Sequence, residues 1–390
     1  MPAGRGRLLG AALAVCVASP ASAGPVDEDL ARALDAAGGA DVVAYDLPAP
    51  AGAPHVRLAT IASAPPAAVL AAAGDAARWG RLVPAIVEAK EVARRGDARV
   101  VAWEVEVPLA NLSGTLELRA TATSVELRFV DGDFAPGRLA FTAAPRADGR
   151  TTVEVDGRLD VRRSTFVLRH AIARSPWGEA AALSTAAWVA LRAVALRAEH
   201  AGDAVAARPT APLVGSPPAS ASARALFAPA LAALAARGAA ALVHVAPTGR
   251  LAAISVAVPT RGTPSALGAH LADARTWRAF PGWKRVIPMP PVGAAPPTIL
   301  VQDNIPLCDL DATWQRAATP TPTWTAIAGE ARGAWFSWEV APAGGAAALT
   351  MSPRLERLGS IPRRFVEAEP LLEHGLALAL VFVDAVSATR

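Results

Sequence analysis

Apolar and charged residues alternate strictly in several stretches of the first half of the chain. Trp103, Val105 and Val107 alternate with Glu104 and Glu106. Leu116, Leu118 and Ala120 alternate with Glu117 and Arg119, and Val125, Leu127 and Phe129 with Glu126 and Arg128. Val153, Val155, Gly157 and Leu159 alternate with Glu154, Asp156, Arg158 and Asp160. Period two predicts strands with one dry and one wet face. Turn signals at Gly96-Asp97, Asp131-Gly132 and Asp148-Gly149 predict that neighbours run antiparallel.

The dry face needs a cover. Ser175-Pro176 offers an N-cap and a first-turn proline for a helix running to about residue 198, on which Trp177, Ser184, Trp188, Leu191 and Ala195 share one arc while Glu179, Arg192 and Arg197 lie off it. Upstream, the pattern predicts a helix over 27–34 stopped at Gly38-Gly39 and strands over 42–47 and 55–61. Ala64-Pro65-Pro66 opens a short helix, and Asp75 caps another that carries Trp79.

The cycle then repeats. Val107-Pro108-Leu109-Ala110-Asn111-Leu112-Ser113-Gly114-Thr115 returns as Ile305-Pro306-Leu307-Cys308-Asp309-Leu310-Asp311-Ala312-Thr313, at the same offset that separates Asp75 from Asp273. Leu34/Leu234, Gly38/Gly238 and Val43/Val243 extend the match to the first helix and strand. Trp, Pro and Asp at near-constant offset are not chance features of Ala-rich sequence, so two copies of one domain are expected. The expected boundaries are a signal peptide over 1–23, a first domain over 24–200, a Pro/Ala/Ser-rich linker over 201–222 and a second domain over 223–390. The second copy is less regular, with Pro288, Pro290, Pro291, Pro296 and Pro297 before its first long strand, and it holds six of the ten tryptophans.

Composition adds the compartment. Arg5 and Arg7, an apolar run over 8–17 and Ala21-Ser22-Ala23 before Gly24 follow the order of a secretory signal, predicting cleavage after Ala23 and a periplasmic or secreted protein. A lipoprotein reading through Cys16 is the alternative. With Cys16 removed, Cys308 stands alone and no intrachain disulfide forms. The formal net charge of +4, with only Lys90 and Lys284 among the basic residues not Arg, excludes the basic excess of a nucleic-acid binder. Apolar runs over 225–245 and 371–386 are interrupted by Pro229, Arg237, Glu373 or Asp384 and read as core helices, not membrane spans.

A helix, a hairpin, two short helices carrying D-x-x-x-W, an antiparallel sheet and a long closing helix resemble the START/polyketide-cyclase-like superfamily. The residues that best carry the likeness are 61–69, Asp75 to Trp79 and the closing helix, and the resemblance spans about 24–200 and 223–390. The resemblance implies an α+β protein of two tandem helix-grip domains, each a curved antiparallel sheet wrapped around its long C-terminal helix. It also implies a hydrophobic cavity between sheet and helix, used by members for lipids, sterols, aromatic polyketides or hormones. The Pro-rich insertion departs from the pattern in copy two.

A sheet bent round one helix leaves an interior that large side chains fill or a ligand occupies. The inward candidates are Trp103, Leu118, Leu127, Phe129, Phe141, Trp188 and Leu191 in copy one, and Trp314, Trp324, Phe336, Trp338, Met351 and Phe382 in copy two. Ordinary core packing explains any one of them equally well. Copy two, richer in Trp, is expected to fill its own space, which makes copy one the better ligand site.

No metal, nucleotide, cofactor or nucleophile motif occurs. His170, beside Arg169, and His374, beside Glu373, are candidate acid-base groups or solvated helix-end residues. Arg163, Arg169 and Arg174 in copy one and Arg363 in copy two could meet an anionic headgroup at a cavity mouth, or be a solvated basic loop. The expected function is binding of an apolar or amphipathic small molecule or lipid, with transient membrane contact and no cofactor. The alternatives are a cyclase/aromatase-type enzyme and an interaction module with filled cavities. Oligomeric state is not readable from the chain.

Overall fold

The computed structural model describes residues 27–47, 54–83, 85–107, 110–173, 175–200, 225–246, 249–279, 283–290, 296–305, 308–317, 322–352, 354 and 370–389. The expected signal peptide, the linker over 201–222, Arg174, Arg363 and the Pro-Leu pairs at 108–109 and 306–307 lie outside them.

The first half contains α1 (Glu28–Ala36), β1 (Asp41–Asp46), β2 (His55–Ala62), α2 (Pro66–Gly74), α3 (Trp79–Leu82), β3 (Ile86–Arg95), β4 (Ala98–Val107), β5 (Ala110–Ala120), β6 (Ser124–Gly132), β7 (Phe134–Pro145), β8 (Thr151–Asp160), α4 (Phe166–Ala173) and α5 (Gly178–Glu199). The second contains α6 (Pro229–Ala235), β9 (Gly238–Val245), β10 (Leu251–Pro259), α7 (Pro264–Ala272), β11 (Trp283–Met289), β12 (Thr298–Ile305), β13 (Cys308–Arg316), β14 (Thr323–Gly329), β15 (Trp335–Val340), β16 (Ala346–Ser352) and α8 (Pro370–Thr389).

The described strands join in one 16-stranded sheet, ordered β11-β12-β13-β14-β15-β16-β10-β9-β1-β2-β8-β7-β6-β5-β4-β3. Read outward from the centre, the two halves have the same order. They meet where β1 pairs antiparallel with β9, in a register that sets Val42 opposite Leu242 and Val43 opposite Ala241. Because the sequence match runs at an offset of 200 here, Val42 faces its own counterpart. The contact is isologous, as in a two-fold dimer, within one chain.

The centre of the sheet is dry on both faces. Val43, Tyr45, Ala241 and Val243 point into the larger core under α5 and α8, whereas Val42, Ala44, Ala240 and Leu242 join Leu30, Leu34, Leu231 and Leu234 of α1 and α6 in a second core on the other face. This is why β1, β9 and β10 read as largely apolar runs without strict alternation. Farther out, one face stays wet and alternation holds: Val125 and Leu127 are buried, while Arg128 is exposed. Arg138 there bridges Glu126 (2.7 Å) and Asp156 (3.4 Å) across strands.

Local chemistry sets the ends. Asp27 caps α1 by accepting from the N–H groups of Asp29 and Leu30, and α2 has Pro66 at its first turn. Asp75 gives no side-chain cap; it precedes a 3-10 turn over Ala76–Arg78, and its carboxylate meets Arg78 Nε at 3.3 Å. Ser175 also differs from expectation. Its hydroxyl accepts the Trp177 N–H (3.1 Å) in a turn before α5, because α4, which alternation could not reveal, occupies the chain just upstream. Pro288 sits in β11, which lies at the sheet edge and pairs only with β12, where a missing N–H costs least.

Both long helices are long and apolar enough to cross a membrane, but most of each is buried against the protein itself. They also pack on each other. Thr185 Oγ1 donates to the Gly375 carbonyl (2.8 Å), and a Cβ at Gly375 would lie 2.9 Å from Thr185 Cγ2, so the glycine is what lets α8 approach α5.

Candidate functional site

The inward candidates of the first half divide between two places. Leu118, Leu127, Phe129, Phe141 and Trp103 come from successive strands and share the core of that half, each less than a tenth exposed. Trp188 and Leu191, on α5, are fully buried nearer the centre.

Around Trp103 an aromatic cluster forms. Its ring stacks parallel to Phe134 with centroids 5.6 Å apart, and Phe129 meets both edge-on at 5.7 and 5.9 Å. Phe134 has φ +71°, a left-handed conformation that costs a bulky residue roughly 1–3 kcal/mol. It follows Gly132-Asp133 at the β6–β7 turn, and Asp133 accepts the Ser113 N–H (2.8 Å). The Trp103 indole nitrogen is buried with no hydrogen-bond partner among the described residues. Phe134 in this cluster is only half-buried, as are Ala89, which pairs with Trp103 across β3 and β4, and the pair Ile86 and Val105 farther along the same strands, so apolar surface here is partly open to solvent.

The second half places its aromatics ring against ring. Trp277 meets Trp324 at 4.6 Å and Phe336 at 4.8 Å, and Trp314 meets Phe336 at 5.0 Å. Trp277 and Trp338 are buried with them, and Met351 is half-buried on β16 opposite Phe336. Trp324 Nε1 also lacks an acceptor among the described residues, but its ring packs T-shaped with Trp277.

Between the halves lies a polar cluster that the sequence pattern did not single out. Asp41 is fully buried. It accepts from Thr60 Oγ1 (2.5 Å) and Trp188 Nε1 (3.0 Å), with Arg192 Nη1 at 3.5 Å. Burial raises the Asp41 pKa above the ordinary carboxylate value, against the pull of Arg192 and the two donors. His374 of α8 reaches the same region. Its ring lies 5.7 Å from Trp188, and its Nε2 accepts the Leu251 N–H at 3.1 Å. Burial, then Arg192, lowers its pKa to about 4. Phe382 stacks on Tyr45 of β1 at 4.0 Å. Trp188, His374 and Phe382 therefore line the junction, and the only hint of it was Arg192 lying off the apolar arc.

His170 is exposed on α4 and stacks on Phe166 at 6.0 Å. Arg163 and Arg169 are exposed on the same stretch, and Phe166 beside them is 74% exposed. Arg162, by contrast, is paired with Asp160 (3.0 Å). No cluster of three or more His, Cys, Asp or Glu that could hold a metal occurs among the described residues.

The described residues also form a cleft of about 410 Å³ away from the aromatic cluster. Ala67, Leu70, Ala71, Gly74 and Asp75 of the α2 region line one side, and Arg99, Ala120, Thr121, Ala122 and Val125 the other.

Residues 54–195 match the family described as "Polyketide cyclase / dehydrase and lipid transport". No curated protein matches the chain. Solved structures similar to it include the Zhui aromatase/cyclase from Streptomyces sp. R1128 (17% identity, 37% of this chain and 93% of that one, TM-score 0.32). The di-domain ARO/CYC StfQ of the steffimycin biosynthetic pathway is 14% identical over 84% of this chain and 97% of its own, with TM-score 0.29. The human StarD13 lipid transfer and protein localization domain is 12% identical over 41% and 85%, with TM-score 0.31. The segment that matches this family spans β2 to α5 of the first half, and the second half repeats the same strand order.

Proposed function

We propose that the chain is a duplicated helix-grip protein whose first half binds an apolar or amphipathic small molecule at the Trp103–Phe129–Phe134 cluster. The observation that carries this reading is the half-buried apolar rim around that cluster, where Phe134 stays partly exposed in a strained conformation. Completing such a surface with a ligand removes apolar area from water at about 25 cal/mol per Å². The buried Trp103 N–H would then have a ligand oxygen to meet, which sets orientation. The second half, by this reading, keeps the fold and fills its interior with its own tryptophans. A cyclase-type reaction would require a titratable group at the cluster, whereas His170 is exposed on α4.

Two further elements belong to the proposal. The N-terminal segment directs export with cleavage after Ala23. The exposed Phe166 beside Arg163 and Arg169 makes a transient contact with an anionic lipid surface during delivery.

The test is native mass spectrometry of the purified full-length protein, followed by titration with the neutral dye Nile red. A stoichiometric apolar molecule that leaves on denaturation is expected. Val105→Trp, which fills the rim, should weaken dye binding at least tenfold, while Trp338→Phe in the second half leaves it unchanged. No co-purifying molecule together with unaltered dye binding in Val105→Trp would end the proposal.

A further inference from the structure

The cleft beside α2 shares no residue with the Trp103 rim and presents different chemistry. Arg99 opens β4, and its Nη2 donates to the Gly74 carbonyl at 2.5 Å, satisfying the last turn of α2. That contact anchors the guanidinium, and Arg99 also lines the cleft. The remaining polar side chains of the lining are engaged locally. Asp75 turns to Arg78 at 3.3 Å, and the Thr121 hydroxyl accepts the N–H groups of Thr123 (3.2 Å) and Ser124 (3.0 Å).

The rest of the wall is apolar. Leu70 and Val125 form the buried part, and Ala67, Ala71, Ala120 and Ala122 stand exposed at the sides. Gly74 keeps the charged end connected to this wall. A Cβ there would sit 3.7 Å from Arg99 Nη2 and 3.8 Å from Val125 Cγ2, in the space between the cation and the apolar surface. The volume of about 410 Å³ falls within the range of small-molecule sites, about 300–1,000 Å³.

We propose that this cleft binds a medium-chain monocarboxylate, its carboxylate on Arg99 and its chain along Leu70 and Val125. One cation matches one negative charge, and a phosphate dianion would leave a charge uncompensated beside Asp75. A neutral amphiphile forgoes the charge-assisted bond. The site is independent of the interior reading above, and either stands without the other.

Decanoate and decanol, both below aggregation, are titrated into the full-length protein by calorimetry and hydrogen–deuterium exchange. Decanoate should slow exchange in residues 66–75 and 120–125 and bind at least tenfold more tightly than decanol. Ala71→Glu places a carboxylate on an exposed position of the same wall and should lower decanoate affinity at least tenfold. Gly74→Ala meets only ordinary van der Waals contacts, so it should fold normally and still bind decanoate more weakly. Equal affinity for decanoate and decanol, or parental decanoate binding in Ala71→Glu, overturns the proposal. Protection confined to the strands around Trp103 overturns it too, while supporting the interior site.

Discussion

The outer parts of the two halves are built on one strand order and stocked with the same kind of side chain, yet they pack it differently. In the second half Trp277, Trp324, Trp314 and Phe336 stand 4.6–5.0 Å apart and fill the space they enclose. In the first, Trp103, Phe129 and Phe134 stand 5.6–5.9 Å apart, one of them half-buried and backbone-strained. A repeated fold does not repeat its interior. Tight ring packing adds stability, whereas a strained, incompletely covered cluster is what a binding site retains at some expense of it.

The sharpest way to break this comparison is to truncate one ring on each side. Trp277→Ala removes a fully buried ring with neighbours on two sides and should cost about 3–5 kcal/mol, read as a lowered urea midpoint with unchanged slope. Phe134→Gly loses a half-buried ring but relieves a left-handed backbone that glycine adopts freely, and should stay within about 1 kcal/mol of the parent. Equal losses would mean that both ends are packed alike.

Acid and base act away from both ring clusters. His374, lowered to about 4 from 6.5, binds fewer protons folded than unfolded between those values, so stability is lost as pH falls through that window. Glu154, which accepts the Asp27 N–H (2.9 Å), is raised by burial from 4.5 to about 8. The folded chain therefore binds the extra proton, and stability is lost as pH rises from 4.5 toward 8. Each limb spans at most roughly 3–5 kcal/mol. His374→Gln should flatten the acid limb and Glu154→Gln the other, as followed by thermal melts across pH. Neither should alter the difference between Trp277→Ala and Phe134→Gly, since both groups lie near the centre of the sheet.

How much of this was legible follows from what each residue touches. Strands β4, β5, β6 and β8 showed themselves because one face meets water and must carry Glu or Arg, whereas β7 between them, with little charge to alternate, did not. The central strands, dry on both faces, showed only apolar runs. The near-constant offset of Gly38/Gly238 and Val43/Val243 already contained the symmetric register of β1 on β9, but offset alone does not say that two copies pair edge to edge. Asp41 was silent, since a single acid at a strand start is ordinary and its partners Thr60, Trp188 and Arg192 are 19, 147 and 151 residues away. The strain at Phe134 and the open side of its cluster depend on a turn geometry that hydrophobic pattern does not encode.

The finest test of the comparison is one substitution made twice. Trp103→Phe and Trp324→Phe each remove a buried indole N–H that has no acceptor among the described residues, and each thereby relieves a desolvation cost of about 1–3 kcal/mol. Each also removes ring area from a core. At Trp103 the neighbouring rings lie at 5.6 Å or beyond and the rim can relax, so the two effects should nearly cancel, leaving stability within about 0.5 kcal/mol of the parent. At Trp324 the ring centroid of Trp277 is 4.6 Å away and both rings are fully buried, so the lost volume remains as a void, and a net loss of about 1–2 kcal/mol is expected by urea unfolding. With the lost hydrogen-bond donor common to both variants, the remaining difference reports only how well each interior is filled. Indistinguishable midpoints would remove the physical basis for assigning the ligand to the first half.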